Sequence, residues 1–424
     1  MNKKTGYLFI IILGLIPLLI WLGIEPIGSR FSNFTGAMIN LGRISALVGT
    51  SFFALAFLLN TRLKFLENLF SGLDEVYKAH HIFGTSAFIL LLFHPIFLSV
   101  QYLAISANSA AMFFIPSFEK TAISSGIIAL SIMAVLLLIT FFVKLKYHVW
   151  KFSHKFLGLA FLFAIIHVLL ISSDITRSNL LEGYMIIMLL IGSFSFLYKT
   201  LLYDLLKKKK RFSVEKVMKL NDNVVEVVLK PETKIKKYKA GQFIFVGFEQ
   251  KELREEHPFT ISSAPSENNL RLTIKESGDW TKKLKDIKVG TNVFVDGPYG
   301  NFYAKNNLDQ IWIAGGIGIT PFLSMARDLK TQSKVDLFYS VRETKDAVFI
   351  DELNKISDKN LRVHIFYTLH GKKLDIEDIL KNTEIKNKEI FICGPKKMMF
   401  NLKKQFLSKG VDKKKIHAEE FGLL

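Results

Sequence analysis

HHIFGTSAFILLLFH, residues 80–94, and HKFLGLAFLFAIIH, residues 154–167, are apolar stretches built alike: histidine, glycine four residues later, and a closing histidine. Imidazole is costly in hydrocarbon, so a histidine within a membrane span is a candidate for function. His80 and His94 are 14 residues apart, His154 and His167 13. At about 1.5 Å rise per residue, the two rings of each stretch lie about 20 Å apart along the membrane normal. Facing histidines at one depth on neighbouring helices can supply both axial ligands of a haem iron without a thiolate. The expected pairs are His80 with His154 at the inner leaflet and His94 with His167 at the outer. Gly84 and Gly158 would clear bulk beside a flat macrocycle. His81 competes with His80. A separation of 13 turns its two side chains about 140° apart around an ideal helix, so the fifth span requires a bulge or differently directed rotamers. Hydrogen-bonded helix contacts are the bland use of such residues.

The two stretches belong to a set of six apolar runs of spanning length, at 5–24, 37–60, 80–104, 122–143, 152–173 and 183–205. The chain has 424 residues, 56 Lys plus Arg against 37 acidic residues, and a formal charge of +19. Half of it is nonetheless hydrophobic, and mean hydropathy is +0.28. That combination excludes disorder and argues against a soluble nucleic-acid binder. One cysteine excludes a disulfide framework or an iron–sulfur site. MNKK leads into apolar residues without a small-residue cleavage site, which reads as a span rather than a removed leader. Cations flanking the spans number thirteen on one side and three, Arg30, Lys120 and Arg177, on the other. The positive-inside rule therefore puts both termini in the cytoplasm. Arg43, about two turns inside the second span, is a candidate for a haem propionate or a bound oxidant, with snorkelling the alternative.

After KKKKR at 207–211 the pattern changes. Short strands such as VVEVVL (224–229), QFIFVGF (242–248), FTIS (259–262) and LRLTIK (270–275) suit a small antiparallel barrel. From 308 onward IWIAGG (311–316), VDLFYSV (335–341), RVHIFYT (362–368) and EIFICG (389–394) each precede a plausible helix, a parallel-sheet pattern. AGGIGITPFLSMA (314–326) runs from strand through glycines to helix, where amides and the helix dipole can receive a pyrophosphate. CGPKKMM (393–399) repeats that arrangement at the last strand of the series.

In this order, the paired histidines, HPFTISS (257–263), SGDWT (277–281), GPYGNF (297–302), AGGIGITP and CGPKKMM resemble the NADPH oxidase and ferric reductase superfamily over nearly the whole chain. The resemblance is strongest to bacterial NADPH oxidases. It implies a multidomain protein: a six-helix transmembrane all-α haem domain (1–206), then a ferredoxin-NADP reductase-like module made of an antiparallel β-barrel FAD domain (207–304) and an α/β NAD(P)H domain (305–424). It further implies FAD, two b-type haems held by His80, His94, His154 and His167, and NADPH as substrate, with NADH possible. His257, Pro258, Phe259, Thr260 and Ser262 match the flavin motif, Thr260 near the isoalloxazine and His257 near phosphate. Lys275, Gly278 and Thr281 match the pyrophosphate segment. Gly315, Gly316, Gly318, Thr320 and Pro321 match the nicotinamide dinucleotide motif, and Cys393, Gly394 and Pro395 the segment close to the nicotinamide. Arg342 occupies the place that meets an adenosine 2′-phosphate, and Phe421 that of a terminal aromatic stacked on the flavin. Thr260, Cys393 and Phe421 are the residues nearest the reacting rings on this correspondence.

The implied activity is electron transfer from cytosolic NADPH to dioxygen outside a bacterial cell membrane, releasing superoxide. A ferric or cupric reductase is the alternative acceptor reading. A haem carrier or proton channel is the alternative of another class, and it leaves the two histidine pairs and the nucleotide motifs without a joint purpose. No EF-hand loop fits the sequence, so neither calcium gating nor an obligatory protein subunit is expected.

Overall fold

The computed structural model describes residues 4–171, 174–206, 209–232, 237–304, 308–329, 333–356, 360–369, 371 and 373–419. The chain divides into two compact units, Met1–Lys207 and Lys208–Leu424.

Six helices of the first unit are long and apolar enough to cross a membrane: Lys4–Leu22, Phe34–Leu59, Leu73–Leu103, Phe118–Phe142, Tyr147–Leu170 and Asn179–Leu202. The second span is the most buried of them. It packs on the first, third and sixth, whereas the fifth packs chiefly on the fourth. The fifth span is broken. Helices Tyr147–Lys155 and Leu157–Leu170 meet at Phe156, where the amides of Phe156 and Leu159 bond to carbonyls three residues back. This tighter turn lies between His154 and His167, where the 13-residue spacing requires a departure from ideal helix. The expectation for Gly158 is corrected: a Cβ there would collide with the Phe196 ring, so the missing side chain accommodates a neighbouring phenylalanine. At Gly84 a Cβ would meet only the Ala56 Cβ, at 3.9 Å.

The second unit begins with an antiparallel barrel of six strands: β1 (Lys210–Asn221), β2 (Val224–Pro231), β3 (Phe243–Phe248), β4 (His257–Thr260), β5 (Leu270–Lys275) and β6 (Asn292–Tyr299). Their order is β4-β3-β6-β1-β2-β5, and a bridge between Ile261 and Leu272 joins the two edges. Val227, Leu229, Val246, Phe248 and Leu272 fill the interior. Alternation that points one side chain in two inward is what makes these strands one wall of a core.

A parallel sheet follows, with β7 (Gln310–Gly315), β8 (Val335–Val341), β9 (Leu361–Tyr367), β10 (Glu389–Cys393) and β11 (Ile416–Glu419) in the order β11-β10-β7-β8-β9. Helices Thr320–Arg327, Ile350–Ile356, Ile376–Leu380 and Lys396–Ser408 connect them. The chain leaves β7 towards β8 and later returns to β7's other side as β10. The carboxyl ends of β7 and β10 therefore flank a topological switch point, where open α/β sheets bind ligands.

Candidate functional site

In the membrane unit the histidines meet in the expected pairs. The ring centroids of His80 and His154 are 6.4 Å apart and those of His94 and His167 6.3 Å, with interplanar angles of 66° and 61°. His81 is exposed beside His80. Three of the four rings are oriented by backbone: Nδ1 of His80 donates to the Ala56 carbonyl (2.8 Å), that of His94 to Gly42 (2.9 Å) and that of His167 to Ala122 (2.7 Å). A carbonyl only accepts, so each bond places the proton on Nδ1 and leaves the Nε2 lone pair available. His154 lies against Trp150, and its buried Nδ1 has no hydrogen-bond partner.

These pairs fit a bis-histidine metal site. A metal–nitrogen bond of about 2 Å on each side, plus roughly 1 Å from each nitrogen to its ring centre, separates the centroids by about 6 Å. A carbonyl on the far ring nitrogen is the outer-shell partner that ligating histidines use.

Arg43 meets a carboxylate of the chain. Its Nη1 donates to Asp174 Oδ2 (3.1 Å) and Asn40 Oδ1 (3.3 Å). The same carboxylate oxygen accepts from Trp21 Nε1 (2.7 Å) and from Arg30 Nη1 (3.3 Å). Asp174 and Arg30 are both buried; the sequence marked Arg30 only as a flanking cation and gave Asp174 no part.

In the barrel, β4 presents His257, Pro258 and Phe259, half-buried, and ends on buried Thr260. The Trp280 ring stacks on Phe259 (centroids 5.5 Å, 24°) and lies 4.5 Å from the His257 ring. Among the described residues its buried indole N–H has no partner. A buried donor costs free energy unless something accepts from it, and beside it nothing lies within 4 Å of where a Cβ would sit on Gly278. Lone donor, aromatic surface and open backbone together fit a flavin dinucleotide. The Trp of SGDWT was legible in the sequence and was not singled out.

Two of the expected flavin residues carry hydrogen bonds within the chain. The buried Ser262 hydroxyl donates to the Arg271 carbonyl (3.0 Å) and accepts from Thr273 Oγ1 (3.0 Å), so it serves the barrel interior. Thr281 Oγ1 accepts from the amides of Ser277 (2.9 Å) and Gly278 (3.0 Å) and caps a one-turn helix, Asp279–Lys282. Lys275 is exposed at the end of β5.

At the switch point the two glycine turns interlock backbone against backbone. A Cβ on Gly318 would strike the Cys393 carbonyl, and one on Gly394 would sit 2.9 Å from Gly315 Cα. Gly316 adopts φ +53° facing open space, a conformation that costs other residues more. Helix Thr320–Arg327 starts here with Pro321 in its first turn, and Thr320 Oγ1 donates to the Ile317 carbonyl (3.2 Å). Pro395 precedes helix Lys396–Ser408. Cys393 is fully buried, and burial, reinforced by the Glu419 carboxylate, holds its thiol well above the ordinary range. Its thiol is therefore held in the neutral form. Arg342 projects from the end of β8 with its side chain 75% exposed, while the neighbouring Glu343 is bridged to Lys345 at 2.9 Å. Phe421 lies outside the described residues.

Residues 45–165 match the family of ferric reductase like transmembrane components, 209–302 a FAD-binding domain family, and 312–404 the oxidoreductase NAD-binding domain family. Dual oxidase 2 of Sus scrofa is 22% identical over 407 residues, 83% of this chain and 25% of that one. A superoxide-generating NADPH oxidase heavy chain of Dictyostelium discoideum is 29% identical over 219 residues, 41% of this chain and 31% of that one. The chain thus spans a quarter to a third of these relatives. Among solved structures, the flavohem-like FAD/NAD-binding domain of nitric oxide dioxygenase from Vibrio cholerae O1 biovar El Tor aligns with 50% of this chain and 99% of its own, at 24% identity and a TM-score of 0.45. A membrane unit of ferric reductase type followed by a flavin and nicotinamide reductase module defines the class. The three domain matches in this order, with the NADPH oxidase relatives, support the NADPH oxidase and ferric reductase-like superfamily.

Proposed function

We propose that the chain is an NAD(P)H-dependent transmembrane oxidoreductase that takes electrons from a nucleotide at the cytoplasmic face of a cell membrane and delivers them to dioxygen at the opposite face, releasing superoxide. The observation that carries this reading is that one chain holds two matched histidine pairs in its membrane unit and interlocked glycine turns at a switch point in its second unit. FAD and two b-type haems would supply the redox chemistry when bound.

The chain's own residues bind, orient and shield. His80 and His154 would hold one haem, His94 and His167 the other, with the Nδ1 bonds to carbonyls fixing ring direction. Thr260 would border the flavin ring, while His257, the Trp280 indole N–H and the backbone at Gly278 would hold its phosphates. The turn Gly315–Thr320 and the amino end of the helix behind it would receive the nucleotide pyrophosphate, with Gly394 and Pro395 closing the nicotinamide side. The sidedness rests on the loop cations, thirteen against three.

A relative named for superoxide generation favours dioxygen. A family named for ferric reductase makes ferric ion the second reading. Purified protein supplied with FAD and NADPH should reduce cytochrome c in a manner abolished by superoxide dismutase. Ferrous-chelate formation that persists without oxygen, with no dismutase-sensitive signal, selects the metal reductase, and absence of any NADPH oxidation refutes both.

A further inference from the structure

Helix Thr320–Arg327 carries the nucleotide glycine turn at its amino end, and its other end is fastened to the flavin strand. The Arg327 guanidinium, with a side chain only 6% exposed, donates through Nη1 to the Ser262 carbonyl at 2.6 Å. Its remaining edge grips the Glu352 carboxylate with two bonds, of 2.6 and 2.8 Å. One turn earlier, buried Ser324 donates its hydroxyl to the next carbonyl, that of Ser263, at 2.6 Å. Tyr238 holds the same loop from the barrel side, donating to the Ala264 carbonyl at 2.7 Å. Ser262 and Ser263 follow Thr260 by two and three residues.

These contacts exceed what packing requires. Burying a guanidinium is expensive unless every donor edge is engaged. Here Glu226 Oε1 also lies buried without a hydrogen bond 3.8 Å from Nη2, and burial raises the Glu226 carboxyl above its ordinary range against the pull of Arg327. An eight-residue helix is about 12 Å long and stiff. Fixing its carboxyl end to the flavin strand therefore fixes where its amino end, with Gly316 and Gly318, stands relative to Thr260.

We propose that Arg327 and Ser324 are positioning residues that set the spacing between flavin strand and nucleotide turn by clamping the Ser262 and Ser263 carbonyls to the helix carrying that turn. This rests on the oxidoreductase reading. The step it serves is the passage of a hydride, two electrons and one proton, from the nicotinamide, which is oxidised, to the flavin, which is reduced. Hydride transfer depends steeply on separation, and a displacement of about 1 Å costs on the order of 100-fold.

The test uses the full-length protein and the variants Arg327→Lys, which keeps the charge and loses the fork, and Ser324→Ala, which removes one hydroxyl. Anaerobic single-turnover bleaching of the flavin by saturating NADPH should slow between about 10- and 100-fold in Arg327→Lys, less in Ser324→Ala. The isotope effect with 4-deuterated NADPH should grow, while FAD content and NADP+ affinity stay at wild-type values. In flavin-free protein, amide exchange across residues 262–264 should accelerate in both variants. Wild-type bleaching rates in both variants overturn the proposal, as does a loss that merely follows FAD content or NADP+ affinity. Should Arg327→Lys fail to fold, Ser324→Ala decides alone. A wild-type protein whose flavin NADPH does not bleach sinks the functional reading, not the clamp.

Discussion

His94 and His167 face each other at 6.3 Å between ring centroids, although the third span packs chiefly on the second and the fifth chiefly on the fourth. The two helix pairs are thus bridged in ring geometry where their backbones are not tightly packed. His167 holds its orientation by donating Nδ1 to the Ala122 carbonyl on the fourth span, and Gly126, one turn along, leaves room for the ring. A Cβ on Gly126 would lie 2.9 Å from His167 Nδ1. Gly126→Ala should therefore displace the ring and remove one of two haems per chain in a pyridine haemochrome assay. Gly183→Ala on the sixth span, whose new Cβ meets nothing within 4 Å, serves as the control and should retain both. Full haem content in Gly126→Ala would contradict the assignment of His167 as a ligand.

Asp174 should be a stability residue of the membrane unit. Its carboxylate accepts from Trp21, Arg30 and Arg43, and the Arg30 side chain is 2% exposed. Asp174→Ala leaves that buried cation with only the Trp21 carbonyl (3.1 Å) and Glu25 at 4.0 Å, and removing a buried partner costs up to about 3–5 kcal/mol. Thermal unfolding in detergent should show it. A near-neutral Asp174→Ala would mean that solvent or lipid headgroups reach Arg30.

Much of this architecture was legible because it depends on periodicity and on local motifs. The six spans, the histidine pairing and the strands β2, β5, β8 and β10 follow directly from apolar runs and turn residues. β1 escaped notice because its first residues, Lys210 and Arg211, belong to the basic run that also reads as a membrane flank. The break at Phe156 was legible only as a requirement of the His154–His167 spacing, since no Pro or Gly marks the position itself. The bonds of the Ser262 hydroxyl to Arg271 and Thr273 were not legible, because alternation gives the face of a residue only once the barrel's curvature is known. The Asp174 cluster and the Arg327 clamp have no sequence signature: their partners lie 131 to 153 residues away in one case and 25 to 65 in the other.

Acid should weaken the parallel sheet through Asp336. Although burial opposes its ionisation, donors on His364, Thr383, Arg362 and Lys388 outweigh that and hold the carboxyl well below the ordinary range. The folded form therefore binds its proton later than the unfolded chain, whose carboxyl titrates near pH 4. The stabilisation is present above about pH 4 and fades as pH falls further. The difference in denaturation midpoint between wild type and Asp336→Asn should be greatest near neutrality and narrow below about pH 4. A gap that is constant with pH would show that the carboxyl is not depressed.

Nucleotide choice is expected to turn on Arg342. Its guanidinium stands at the carboxyl end of β8 with the side chain 75% exposed, and its closest carboxylate, Glu343, is 3.9 Å away. Glu343 is itself engaged by Lys345 at 2.9 Å, and the bond from that lysine lowers its pKa. Lys345 thereby competes with a ribose 2′-hydroxyl for this carboxylate, the interaction that would favour NADH. An adenosine 2′-phosphate brings roughly two negative charges, and arginine can meet them with a paired hydrogen bond. The expected preference is for NADPH without exclusion of NADH. Arg342→Ala should raise the KM for NADPH about tenfold or more, the range of a charge-assisted bond, and leave that for NADH nearly unchanged. Arg342→Lys should recover part of the loss, because it restores charge without the fork. Equal weakening of both nucleotides would mean that Arg342 supports the turn and that the 2′-phosphate is met elsewhere.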